Sequence, residues 1–476
     1  MVVNDKEAKA RIKINKLLEA AGWRFFKTEG RPATITLETH VKIPLDNLGD
    51  DFQHTKHGYV DYLLLDDRRN PVIVLEAKSE KKHPLVGKEQ AREYAKSQQC
   101  RFVILSNGNV HYLWDLEKGN PHVITQFPSP DSIVRYADTK PDPQQLIDEK
   151  ISETYIALTQ MPRYSRDPMW MDVSTREEFI RRNHLRFLRP YQINAVKAIQ
   201  DSVADDGERF LFEMATGTGK TLTAAAVIKM FLRTGNAHRV LFLVDRLELE
   251  TQALKAFTDY LSPDWKTVIY KERRDDWNYA EIVVTTVQSL LFNDKYQHLF
   301  SPTDFDLVIS DEAHRSIGGN ARAVFEYFVG YKLGLTATPK DYLKNVDLDK
   351  VNLQDPREYE RRLMLDTYET FGCKGREPTF RYSLLDGVKD GYLINPYVLD
   401  ARTDVTTQLL SDEGYAVVVK NEQGDDEEKI FKQRDFERKF FSEHTTQVHY
   451  KFKHTMRSFG LNGKAVSYTH LRAHET

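Results

Sequence analysis

Three charged residues lie close together in two neighbouring apolar stretches of this sequence: Asp61 in GYVDYLLL, and Glu76 and Lys78 in PVIVLEAK. Both stretches have the length and aliphatic content of buried strands, and the polar run DDRRN between them predicts a turn. Side chains on a strand alternate between faces, so Glu76 and Lys78 share one environment. A turn centred between Arg68 and Arg69 sets Asp61 opposite Glu76 in an antiparallel hairpin. Directly opposed residues hold their Cβ atoms about 5 Å apart, and two carboxylates that close repel unless a cation lies between them. A hard divalent ion such as Mg2+ in that position can activate water for attack on a phosphodiester, while the lysine positions the nucleophile or steadies the developing charge. The plainer reading of the same residues is an ion pair at a sheet edge.

A second set of residues suits nucleotide chemistry. ATGTGKT at 215–221 follows the apolar run FLFEM and opens an apolar helical stretch, TLTAAAVIKMFLRT, that Gly235 closes. Thr216, Gly217, Thr218 and Gly219 form a loop whose main-chain N–H groups can turn inward around phosphate oxygens at a helix N-terminus. Lys220 can then reach the β and γ phosphates of ATP, and Thr221 can ligate Mg2+. Met214 stands where the strict phosphate-loop pattern has glycine. Further on, Asp311 and Glu312 follow the apolar run DLVIS. At the carboxyl end of a strand expected beside the phosphate loop, Asp311 can hold the magnesium, and Glu312 can orient and deprotonate the attacking water.

The elements that must position these groups fall into two patterns. KEAKARIKINKLLEAAG has the apolar spacing of an amphipathic helix, VGKEQAREYAKSQQ reads as a second helix, and RFVIL and VHYLW read as strands joined at Asn107-Gly108. Prolines 128, 130, 141 and 143 among polar residues suggest a linker from Phe127 to about Gln145. From about residue 180, strands alternate with helices: FLFEM, VLFLV, IVVTT, DLVIS and KLGLT predict five strands of one doubly wound parallel sheet. Beyond about residue 370 the charge-rich segment QGDDEEKIFKQRDFERK suggests an exposed helix or arm.

Composition narrows the setting. The longest apolar runs fall far short of the ~20 residues that span a bilayer, the charged N-terminus lacks the apolar centre of a secretory signal, and two cysteines far apart in sequence argue against a disulfide framework. A cytoplasmic protein is the expectation. The formal charge of −3 neither demands nor excludes nucleic acid, because the position of positive charge decides binding. RRNHLRFLR at 181–189 holds four arginines in nine residues, either a solvated helix face or a basic patch.

Residues from about 185 to 340 resemble the first RecA-like domain of superfamily 2 helicases and translocases, with RPYQ at 189–192, MATGTGKT at 214–221, VDR at 244–246, TTVQS at 285–289, DEAH at 311–314 and TATP at 336–339, in order. The resemblance implies that Gln192 reads adenine, that Arg246 and the TTVQS segment face a nucleic acid strand, and that His314, Thr336 and Thr338 couple hydrolysis to movement. It also implies a second RecA-like domain carrying arginine fingers. No motifs of such a domain are recognisable after Pro339, so the chain reads as truncated near its beginning, at LNGKAVSY, with the closing SYTHLRAHET as foreign sequence.

Asp61 with Glu76 and Lys78 resembles the site of the PD-(D/E)xK nuclease superfamily, whose core runs helix, hairpin, helix, strand. Gln90 and Tyr94, one helical turn apart in KEQAREYAK, match the QxxxY motif of nucleases fused to helicase engines, where it supports DNA contact; the alternative is a helix face that packs Tyr94 on the sheet. Nuclease and motor together resemble the restriction subunit of type I restriction-modification enzymes, down to VDRLELETQ, DEAHRSIGG and YSLLDGVKDGYL. The expected order is an endonuclease domain over 1–145, a linker over 146–184, a RecA-like domain over 185–375, and a bridge into a second motor domain over 376–476. Membership implies ATP and Mg2+ as cofactors, double-stranded DNA as substrate, and specificity and methyltransferase subunits as partners. A nuclease-helicase of another defence or repair system, and a DNA- or partner-binding module inactive in this short form, are the alternatives.

Overall fold

The computed structural model describes residues 5–28, 30–42, 57–271, 275–316, 320–341, 366–394, 415–420 and 426–431; LNGKAVSY and SYTHLRAHET lie outside them. The first six strands form one sheet in chain order: β1 (Ile35–Lys42), β2 (His57–Leu65), β3 (Pro71–Ala77), β4 (Phe102–Ser106), β5 (His111–Asp115) and β6 (His122–Ile124). Neighbours are antiparallel except β3 and β4, which run parallel because the helix Lys88–Ser97 carries the chain back between them. Tyr62 pairs with Leu75 and Leu63 with Val74, the register expected from the turn, and a shift at Leu65 absorbs the turn's irregularity. Strand alternation sends Tyr62, Leu64, Ile73 and Leu75 to one side, under Ile14 and Leu18 of the helix Asp5–Ala20 and Ile133 and Tyr136 of the helix Pro130–Asp138. Leu63, Val74, Val103 and Leu105 face the other side, under Ala91, Tyr94 and Ala95.

The second sheet has seven strands, all parallel: β7 (Arg209–Met214), β8 (Val240–Val244), β9 (Thr267–Ile269), β10 (Ile282–Thr286), β11 (Leu307–Ser310), β12 (Tyr331–Thr336) and β13 (Phe380–Tyr382), in the spatial order β13-β7-β12-β11-β8-β10-β9. Apolar layers cover both of its faces, as the doubly wound reading requires. Three details differ from the sequence reading. The sheet has two further strands, β9 and β13, each three residues long and too short to show a pattern. β13 lies beyond residue 375, where the first motor domain was expected to end. The strand that delivers Asp311 is not the neighbour of β7, since β12 lies between them.

The proline-rich stretches expected as linkers are instead helical, at Pro130–Asp138, Pro143–Asp148, Ala157–Gln160 and Val173–Arg182. Pro130 and Pro143 stand at the start of their helices, behind Ser129 and Asp142, whose side chains accept the N–H groups of Ser132 and Gln145. Proline's fixed φ and missing N–H suit a first helical turn, so residues that read as breakers act as start signals. Leu146, Ile151, Tyr155 and Ile156 belong to the core of the second sheet, and Gln200 Nε2 donates to the carbonyls of Leu146, Ile147 and Glu149 at 2.8, 3.0 and 2.8 Å.

Polar contacts join the two sheets. Ser132 Oγ lies 2.7 Å from Thr303 Oγ1, Ser129 N–H donates to Ser301 Oγ at 3.1 Å, Arg135 pairs with Asp304 at 2.9 Å, and His122 Nε2 lies 3.4 Å from Glu208. Glu208, Asp304 and Thr303 stand just before β7 and β11, at the amino ends of strands whose carboxyl ends lead into the phosphate loop and DEAH. A separate unit begins at Gly391. Its described part includes the antiparallel pair β14 (Tyr415–Lys420) and β15 (Asp426–Phe431), which corrects the expectation of a helix or arm over Asp426–Phe431, the rest of QGDDEEKIFKQRDFERK lying outside the described residues. The valine-rich run YAVVVK supplies a strand for the charged segment to pair with, and pairing outweighs composition.

Candidate active sites

In the interior of the first sheet, β2 and β3 bring the sequence-predicted trio together where their pairing ends. The main-chain ladder ends at Tyr62 and Leu75, and the Asp61 carboxylate takes the next rung, its Oδ2 accepting the Ala77 N–H at 2.8 Å. Glu76 is buried at the end of β3, and Lys78 Nζ donates to its Oε1 at 2.8 Å. The other oxygen, Oε2, is buried and accepts no hydrogen bond from any described residue. Burial, and after it the Asp61 charge, push the Glu76 carboxyl up to about 7 against the pull of Lys78. Gln90 Nε2 donates to Tyr94 Oη at 2.7 Å. Tyr94 is buried beneath the sheet, and its phenol is raised by burial and further by the Glu76 carboxylate, which sets the pair beside the acidic cluster.

Two residues of this site were not anticipated. The Arg11 guanidinium, from the helix Asp5–Ala20, donates to Asp61 Oδ1 and fixes which way that carboxylate points. Gly87 precedes the helix Lys88–Ser97, and a Cβ there would lie 2.5 Å from Lys78 Cε and 3.4 Å from Glu76 Cγ. Neither could be found from spacing: Arg11 comes from a helix some 50 residues before Asp61, and Gly87, only nine residues after Lys78, is an ordinary glycine until the turn before its helix folds back over the lysine tail. Gly87→Ala meets the far end of a flexible side chain, so the variant is expected to fold while Lys78 shifts. Any reaction that relies on Lys78 should fall by roughly 10- to 100-fold with nucleotide binding unchanged, since about 1 Å of misplacement costs that much; an unchanged rate in this variant would show that Lys78 needs no fixed position.

The nucleotide site is built at the carboxyl ends of the second sheet. β7 runs into the loop at Ala215, and the helix Lys220–Arg233 begins after Gly219, whose φ of +74° is left-handed. Thr216 and Gly217 are exposed on the loop, and Thr221 is half-buried in the first helical turn, while the buried Thr218 donates from Oγ1 to the Ala215 carbonyl at 2.6 Å. Gln192 holds the loop from behind: Nε2 donates to the carbonyls of Thr218 and Gly219 at 3.1 and 3.4 Å, and Oε1 accepts the Arg189 N–H at 2.9 Å. Its amide is therefore engaged by the loop and its own helix start. Tyr191, a neighbour the motif reading passed over, donates to the Thr218 carbonyl at 2.7 Å and stacks on Tyr382 with ring centroids 3.9 Å apart. The Tyr382 carbonyl accepts the Ala215 N–H at 3.0 Å, so YSLLDGVKDGYL begins by bracing the phosphate loop.

Lys220 Nζ lies 3.7 Å from Glu312 Oε1 and 3.5 Å from the Met214 carbonyl. Burial pushes the Asp311 carboxyl up to about 6, opposed by the Lys220 ammonium. Glu312 holds a φ of +48°, an unusual conformation for a residue with a side chain. His314 Nδ1 is 3.4 Å from Glu312 Oε2 and 2.9 Å from Thr336 Oγ1, which accepts the Thr338 N–H at 3.1 Å. A continuous polar path thus runs from Glu312 to TATP. Arg246 is exposed at the start of the helix Leu247–Leu261, its Nε 3.6 Å from Asp245, and TTVQS turns into a helix where Thr286 Oγ1 accepts the Ser289 N–H at 3.1 Å. Glu250, also unanticipated, accepts the Thr286 N–H at 3.0 Å and Lys271 Nζ at 3.1 Å.

Among the described residues, no group of three or more carboxylate, imidazole or thiol side chains converges on a point that could hold a metal ion. Asp61 and Glu76 offer two carboxylates, and the unsatisfied Glu76 Oε2 is the kind of buried oxygen that a hard cation would satisfy. Both Asp61 oxygens already accept, from Arg11 and the Ala77 N–H, so an ion there would take Glu76 Oε2 first and draw its further oxygens from water or substrate.

Comparison with known proteins agrees with this division. Residues 35–128 match the family model of the type I restriction enzyme R protein N terminus (HSDR_N), and residues 186–341 match that of the type III restriction enzyme, res subunit. The chain is 26% identical over 385 residues to the type I restriction enzyme EcoAI endonuclease subunit of Escherichia coli, covering 79% of this chain and 42% of that protein. It is 31% identical over 233 residues to the EcoKI endonuclease subunit of Escherichia coli K12, covering 44% and 18%, and 29% identical over 181 residues to the ATP-dependent DNA helicase MPH1 of Candida albicans, covering 35% and 15%. It spans less than half the length of each of these relatives. The chain thus carries a domain that matches the type I R-protein N terminus followed by one that matches the type III res subunit, and over 79% of its length it is homologous to a type I restriction enzyme endonuclease subunit.

Proposed function

We propose that this chain is the restriction subunit of a type I system: an ATP-driven translocase of double-stranded DNA joined to a Mg2+-dependent endonuclease, acting in the cytoplasm with specificity and methyltransferase subunits. The observation that carries the reading is the enclosed Asp61, Glu76 and Lys78 cluster in the same chain as the Lys220, Asp311 and Glu312 site. The first 145 or so residues form the nuclease and those from about 185 the motor. Among the described residues, no helix is long and apolar enough to cross a membrane.

In the nuclease, Arg11 and the Ala77 N–H hold Asp61 in one orientation opposite Glu76. Lys78, kept at Glu76 by their hydrogen bond, presents its ammonium to the phosphodiester and stabilises the charge that develops as water adds to phosphorus and the P–O bond to the leaving nucleotide breaks. Asp61 and Glu76 would hold a Mg2+ ion, which when bound supplies Lewis acidity and charge neutralisation. Tyr94, buried beneath the sheet, and Gln90, bonded to its hydroxyl, brace the strand end that carries Glu76 and Lys78. In the motor, the loop N–H groups and Lys220 bind the triphosphate, Thr221 and Asp311 would hold its Mg2+, and Glu312 takes the proton of the attacking water. Glu312, His314, Thr336 and Thr338 pass the loss of the γ phosphate on to the TATP segment, while Arg246 contacts DNA and Gln192 holds the loop that takes the phosphates.

Cleavage of plasmid DNA should need added Mg2+ and, at limiting Mg2+, should fall as the pH drops through about 7, because proton and cation compete for Glu76. The sign follows from the raised value: below it each pH unit lost costs up to about tenfold in cation affinity, and above it the dependence flattens. Equal cleavage in the presence of EDTA would remove the Mg2+-dependent reading of the site.

A further inference from the structure

Residues 129–185 fall between the two family matches, and part of this interval folds around a small core of its own. Tyr164, Phe179 and Leu185 pack with Trp170 and Phe187, the last two stacked with ring centroids 5.6 Å apart. Residues 160–189 hold seven arginines, no lysine and four carboxylates, in a chain whose formal charge is −3. Arg176 has a structural post, lying over Trp170 at 5.0 Å and donating to its carbonyl at 2.9 Å. Arg163, Arg166, Arg181, Arg182 and Arg186 do not: all five are exposed, and none has a side-chain hydrogen bond or ion pair with a described residue.

The neighbouring acids leave them that way. Asp167 and Asp172 accept the N–H groups of Met169 and Ser174 as helix caps. Glu177 and Glu178 stand one helical turn before Arg181 and Arg182 in Val173–Arg182 without forming an ion pair with either. Gln160 ties the two arginine-bearing segments together, its Oε1 accepting the Arg186 N–H at 2.9 Å and its Nε2 donating to the His184 carbonyl at 3.4 Å. The turn carrying Arg163 and Arg166 is therefore held against the one carrying Arg181, Arg182 and Arg186. Beyond them the chain runs through Leu188 into the helix Pro190–Ala204, whose Gln192 holds the phosphate loop.

We propose that this arginine rim binds the phosphate backbone of duplex DNA without regard to sequence; the inference rests on the reading of the chain as a DNA motor. Guanidinium forks match phosphate oxygens two at a time and give up hydration more readily than ammonium groups, so an all-arginine rim suits phosphate better than a merely solvated face requires. An acidic protein is the other candidate occupant. Duplex DNA is favoured because the rim has no exposed aromatic ring to anchor a protein interface.

The test is binding of the full chain to a fluorescein-labelled duplex of random sequence, by anisotropy, between about 50 and 200 mM salt. Arg163→Ala, Arg181→Ala, Arg182→Ala and Arg186→Ala combined should weaken binding at least about tenfold and flatten the log–log salt dependence by roughly 0.9 for each phosphate no longer neutralised. ATP-analogue binding should be unchanged and serves as the check on folding; if the fourfold variant fails it, Arg181→Ala with Arg182→Ala shows the same direction with a smaller change. Wild-type affinity and salt slope in the folded variants would overturn the inference and leave the motor reading standing, whether or not an acidic protein then binds the rim. If the unaltered chain binds no duplex at all, the DNA reading itself fails, and the inference with it.

Discussion

Lys220→Ala is expected to abolish ATP turnover and to weaken nucleotide binding severely. The ammonium is the cation placed between the phosphate loop and the Asp311-Glu312 pair, 3.7 Å from Glu312. Its loss removes charge-assisted bonds worth about 1.5–3 kcal/mol each in binding and a transition-state stabiliser worth roughly 100- to 1,000-fold in rate. It also withdraws the charge that opposes the rise of Asp311, so that carboxyl moves further from the ionised form a cation needs. Titration with a fluorescent ATP analogue and a phosphate-release assay measure the two effects separately. Turnover near the wild-type rate in this variant would mean that ATP is hydrolysed elsewhere, and the motor assignment would be lost.

The nuclease pocket should respond independently. Asp61→Asn keeps an oxygen able to accept the Ala77 N–H but gives up the charge that faces Glu76 and Arg11. Lys78→Ala leaves Glu76, already raised to about 7, without its cationic partner, and so pushes it further toward the protonated form. Each change is expected to cut DNA cleavage by at least about 100-fold with nucleotide binding and turnover untouched. Plasmid-nicking and phosphate-release assays on the same preparations would check this, and cleavage that survives Asp61→Asn would dismiss that carboxylate from the chemistry. Loss of ATP turnover alongside cleavage would instead point to damaged folding.

What the sequence made legible was what depends on near neighbours. The hairpin register followed from one turn and strict alternation, so the meeting of Asp61, Glu76 and Lys78 could be worked out without coordinates. The order of the motor strands could not. Five apolar runs alternating with helices predict a parallel sheet, yet nothing in them says that β12 separates β7 from β11. Arg11 and Tyr382 were hidden for the same reason, each reaching its site from an element far along the chain, and Gly87, though near Lys78 in sequence, is ordinary until the fold sets it against the lysine tail. The prolines misled because one residue type marks both the end of structure and the first turn of a helix. Only the capping contacts of Ser129 and Asp142 decide between the two.

The hydroxyl pair of Ser132 and Thr303 and the ion pair of Arg135 and Asp304 fasten the first sheet's layer to the entrance side of the second sheet, away from its nucleotide loops. Parting these surfaces would expose a matched set of donors and acceptors, a poor place for a hinge. In a machine of the proposed kind the two layers would therefore move as one body.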